Sequence, residues 1–179
     1  MMLVMEFIFN VSAVIQMMSI SLGVGASTVA ITSFFVAIAD GHMDATERRM
    51  LQPVYVILRV AMGLILATAI LKALTEIITF GGSVITGSLL GIWTVIVVLF
   101  INAYLMTAHI MPSSFGPAIQ AGSWYTLGFL TALISIGIAN SYLVFLIGYG
   151  LFMAAVITFV NGMIVYLKIR RPAKPNLAD

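Results

Sequence analysis

Between residues 77 and 167 the chain carries no Asp, Glu, Lys or Arg. An ordinary globular sequence is about a quarter charged, because charged side chains hold its surface in water. Here the charged share is 8% and the hydrophobic share 62%, with a mean hydropathy of +1.17. Fourteen formal charges in 179 residues (8 Lys and Arg, 6 Asp and Glu) cannot clothe a water-facing surface. A soluble enzyme, a disordered tail and a nucleic-acid-binding domain are excluded, and an integral membrane protein remains. Its first expected partner is the lipid bilayer itself.

Backbone groups in hydrocarbon must bond internally, so spanning segments are helices or closed barrels. Barrel strands alternate apolar and polar residues over short segments. The apolar runs here are continuous and of helix length. The expected fold is therefore all-α, a polytopic bundle of membrane-crossing helices. A crossing takes about 20 residues, which places five spans near residues 19–39, 54–76, 87–109, 119–138 and 142–167. Pro53 would then open the second span, where its missing N–H costs nothing. Residues 1–18 form either an interfacial helix or an extension projecting from the bilayer; a separate crossing there would make six spans. The N-terminal stretch lacks a basic n-region, so it is read as retained. Residues 168–179, KIRRPAKPNLAD, form a basic tail.

Positive residues orient the bundle. Arg48 and Arg49 follow span one, and Lys168, Arg170, Arg171 and Lys174 follow span five. Four further crossings return the tail to the side of the first loop. Both clusters belong in the cytoplasm by the positive-inside rule, leaving the N-terminus outside. The expected location is a cell membrane, of the prokaryotic inner-membrane kind. Lys72 lies near the other interface, one helical turn before Glu76.

The chain has no cysteine, which excludes thiolate chemistry and iron–sulfur ligation. Nor does it contain a metal-hydrolase, nucleophile-elbow or phosphate-loop motif. The expectation is no enzyme, no metal and no cofactor. Two histidines, His42 and His109, are the minimum for a b-type haem, although His42 falls in a polar loop.

The residues that could act are few. Arg59, Asn102 and His109 are candidates for a polar path or for contacts between helices. Asn102 and His109 are two turns apart and would share a face, with Thr94 nearby. Ser19, Gly23 and Ser27 recur every four positions, which lets backbones approach closely, either within the monomer or between copies. The loop ADGHMDATERRM offers Asp40, Asp44, Glu47, Arg48 and Arg49 to a cytoplasmic partner; Asp44 and Glu47 would open a short helix as a capping box. The connection at residues 79–87 is an ordinary polar loop. The connection at residues 109–125 would lie at the interface, with Trp124 and Tyr125 in the aromatic belt.

These features support a non-catalytic subunit, scaffold or assembly factor of a membrane complex, acting as a homo-oligomer or with other membrane subunits. The alternatives are a small oligomeric channel or transporter and a haem-binding electron carrier.

Overall fold

The computed structural model describes residues 2–40, 45–80, 86–112, 115–138 and 141–169. They form five helices: α1 (Met2–Asp40), α2 (Ala45–Phe80), α3 (Gly87–Thr107), α4 (Phe115–Ser135) and α5 (Tyr142–Ile169). The fold is all-α. Four of the helices, α1, α2, α3 and α5, are long and apolar enough to cross a membrane.

The helix ends have local causes. Thr86 caps α3: its hydroxyl accepts the Leu89 N–H at 3.2 Å while its own backbone stays extended. α3 ends at Thr107, short of the expected 109. His109 takes a left-handed φ of 56°, and the Ile110 N–H turns back to the Leu105 carbonyl at 3.1 Å. α4 stops in the same way. Gly137 has φ 77°, and the Ile138 N–H reaches the Leu133 carbonyl at 3.0 Å. These are Schellman caps, which satisfy carbonyls that the helix leaves open. Glycine adopts that φ freely, whereas histidine does so against its Cβ.

Residues 2–18 continue α1 without a break, as the extension that is one of the two expected forms, so the first helix has 39 residues, roughly 58 Å at 1.5 Å per residue. One expectation needs revision. Pro53 lies inside α2 rather than in its first turn, and α2 therefore forgoes one backbone hydrogen bond there.

α1 and α2 form an antiparallel hairpin. The buried positions of α1 advance by four and three in turn: Ser12, Gln16, Ser19, Gly23, Ala26. Those of α2 advance by seven in two series, Leu51, Leu58, Ile65 and Ala61, Thr68, Thr75. A seven-residue repeat keeps a seam facing its partner only if the pair winds left-handed.

α4 is the centre of the bundle, with α1, α3 and α5 packed around it. All five residues from Gln120 to Trp124 are buried. Burial over more than one full turn means that helices surround α4 on every side at that level, whereas Tyr125 and Phe129 further along are exposed. α4 can be surrounded because its surface is small: at Gly122 the Met153 Sδ of α5 lies 2.7 Å from where a Cβ would be.

Candidate functional site

The polar centre of the bundle is an amide pair. Asn102 on α3 is buried, and so is Gln120 on α4. Asn102 Nδ2 donates to the Gly116 carbonyl at 3.0 Å and to Gln120 Oε1 at 3.0 Å. The Gly116 carbonyl can only accept, which fixes the orientation of the Asn102 amide. Two thioethers flank the pair. Met106 Sδ lies 3.5 Å from Asn102 Nδ2, and Met62 Sδ on α2 lies 3.6 Å from Gln120 Nε2. Three helices thus meet at one acceptor-rich point. Asn102 Oδ1 has no partner among the described residues. Hydrogen bonds between helices in lipid are worth about 0.6–2 kcal/mol, so the pair fixes the rotational setting of α3 against α4 more than it adds stability.

The other members of the expected polar path are elsewhere. Arg59 is exposed on α2, one turn before Met62. His109 is exposed beyond the end of α3. The face expected to join Asn102 and His109 does not exist, because the helix ends between them and the backbone reverses hand. Thr94 bonds outward to the Tyr142 hydroxyl of α5 at 2.9 Å. His109 sits where glycine is the favoured residue. His109→Gly is expected to raise thermal stability, by up to about 1 kcal/mol; a loss of stability on detergent melting would contradict the capping role.

Ser19, Gly23 and Ser27 are all buried inside the monomer. Gly23 faces Trp124, whose indole ring lies directly against the Gly23 backbone, while the Ser19 and Ser27 hydroxyls donate back to the Ile15 and Val24 carbonyls of their own helix. Trp124 is fully buried and belongs to the main hydrophobic core, with Ile65, Leu99 and Leu127. That corrects its expected place in an interfacial aromatic belt: residues 115–125 belong to α4, not to a connection. Its neighbour Tyr125 points to α1, where its hydroxyl meets that of Thr28 at 2.7 Å.

Two residues with a part in this packing escaped notice in the sequence. Gln120 carries the Asn102 contact, and Gln16 on α1 accepts from Lys72 Nζ at 3.0 Å. The Lys72 ammonium also lies 5.2 Å from the Phe9 ring centroid, within cation–π range. A glutamine inside an apolar run was the available signal in both cases.

Of the partner loop, Arg49 is exposed. Asp44 and His42 lie outside the described residues, as do the side chains of Asp40, Glu47 and Arg48. Haem ligation through His42 and His109 falls outside them too, as do residues 81–85 and the tail beyond residue 169. Among the described residues no group of three or more His, Cys, Asp or Glu is placed to hold a metal ion.

Compared with known proteins, the chain matches no family profile, no curated protein and no solved structure.

Proposed function

We propose that this chain is a non-catalytic subunit, scaffold or assembly factor of a membrane complex. In this reading α4 is the fifth crossing, packed against α1, α3 and α5. The N-terminus lies outside, and the basic residues at 48–49 and 168–174 face the cytoplasm, in accord with the positive-inside rule. The location is a cell membrane of the prokaryotic inner-membrane kind.

The observation that carries the proposal is the outer surface of α5. Only Val160 and Ile164 of this helix are buried. Gly150, Ala154, Thr158 and Gly162 recur every four positions, and all four are exposed. A Cβ at Gly150 or Gly162 would meet nothing within 4 Å. Lipid tails have no need of small residues, whereas an approaching helix does. A ridge of every fourth residue is inclined to the helix axis and favours a right-handed crossing near −40° to −50°. The polar residues give the competing reading less support. Arg59, Asn102 and His109 do not converge, and the Asn102 amide is engaged with Gln120 rather than turned toward a path.

The test is native mass spectrometry of the protein extracted from its membrane in mild detergent. A copy or a second subunit is expected to co-purify, and Gly150→Leu with Gly162→Leu is expected to release it while leaving the helix content unchanged. Isolated single chains from the wild type, or an undisturbed complex in the double variant, would sink the proposal.

A further inference from the structure

On the opposite side of α5 from that stripe, a groove of about 670 Å³ opens between α4 and α5. Its walls include Phe129 and Leu133 of α4 and Val144, Phe145 and Tyr149 of α5, with Val24 of α1 behind them. No charged side chain lines it. Phe145 and Tyr149 stack with centroids 5.7 Å apart and planes 9° from parallel, making one flat wall. The groove is open because of Gly148, where a Cβ would meet nothing within 4 Å.

Its length and depth are informative. The lining of α4 runs from Tyr125 to Leu133. Tyr125 is the middle residue of α4, and Leu133 is two residues from its end. Eight residues rise roughly 12 Å, close to half of the ~30 Å hydrocarbon layer. With α4 and α5 both crossing the bilayer, the groove would cover one leaflet and stop near the midplane. The hydroxyls around it are already engaged: Tyr149 with Ser123 at 3.0 Å, Tyr125 with Thr28 at 2.7 Å, and Thr126 with the Gly122 carbonyl at 2.8 Å. They ask for no polar guest.

We propose that this groove holds one hydrocarbon chain of a phospholipid, drawn from the leaflet on the side of the α4–α5 turn. The inference rests on the reading in which α4 and α5 cross the bilayer. A single leaflet's depth, an apolar lining and satisfied hydroxyls suit an acyl chain. A helix from another protein would run on past the midplane, and the bulky rims at Phe129 and Val144 would hold its backbone off. Volumes of 300–1,000 Å³ are usual for specific small-ligand sites.

The experiment uses the full chain in vesicles containing a phospholipid with a photoactivatable group at mid-chain, followed by peptide mapping. Residues 125–133 and 144–152 are expected to label several-fold more than the outward face of α2. Gly148→Phe is expected to abolish that excess while α2 labelling stays constant. Gly148→Leu should do the same with a smaller side chain. Constant α2 labelling shows that each variant is folded and embedded. Equal labelling of α2 and the groove in the wild type, an excess that survives both substitutions, or copy-to-copy crosslinks through Phe129 would overturn the inference. Absence of labelling everywhere would instead overturn the membrane reading on which it depends.

Discussion

Gly23→Ala is expected to destabilise the protein by about 3 kcal/mol or more, although alanine is ordinarily the better helix residue. The reason is the Trp124 ring, which already occupies the position that the new Cβ would take. Trp124 has no exposed surface and its ring is held within the main core, so α1 and α4 must separate. Overpacking of this kind forces backbone shifts, which cost more than a gain in helix propensity returns. The control is a double-mutant cycle. Trp124→Leu alone should cost several kcal/mol through lost burial, yet it should restore most of what Gly23→Ala loses. Thermal melting in detergent, followed by tryptophan fluorescence and circular dichroism, reads both effects. Additive losses would show that the two residues do not meet.

Asn102→Asp is the second large effect, expected at about 3 kcal/mol. The substitution keeps size and shape, so packing is not at issue. It replaces the one side-chain group that donates to the Gly116 carbonyl and to Gln120 Oε1 with another acceptor. Acceptors would then face acceptors in a buried site, beside two thioether sulfurs. Asn102→Leu makes the useful comparison. It also gives up the two hydrogen bonds, but it removes the unpartnered Oδ1 and introduces no charge. Its cost should stay below about 2 kcal/mol. Equal effects from Asp and Leu would mean that the amide pair contributes volume rather than hydrogen bonding.

Much of this architecture is legible in the residues, because in lipid a long uncharged run has few alternatives to a helix. The starts of α3 and α5 at residues 87 and 142 match the expected spans, since Gly, Ser and Asn interrupt the apolar text just before them. Helix ends were harder to place. They depend on backbone reversals at His109 and Gly137, and only glycine announces such a reversal in sequence. The seam between α1 and α2 is written largely in Ser, Gly, Ala and Thr, which carry little hydrophobic contrast against their neighbours. That is why the residues leave open whether 2–18 extend the first helix or form a separate interfacial one. The contact of Gly23 with Trp124 joins residues a hundred positions apart. Spacing shows that Gly23 permits close approach, but not what approaches. Asn102 stands out as a polar residue in mid-span, while its actual partner, Gln120, falls where the expected fourth span (119–138) and the expected connection (109–125) overlap, so its polarity reads as that of a helix end.

The composition of α4 has a consequence for how the chain is made. It is not among the helices apolar enough to cross a membrane by themselves, and its buried face includes Gln120, Ser123 and Thr126. A segment so rich in hydroxyl and amide groups partitions poorly from the translocon into open lipid. In the five-crossing arrangement, α4 finds a suitable environment only when α1 and α3, made earlier by the ribosome, already offer it a surface, and α5 closes over it last. Synthesis order and final burial therefore coincide. A block to the packing of α4 on α1 and α3 should leave α4 stranded and mark the newborn chain for proteolysis.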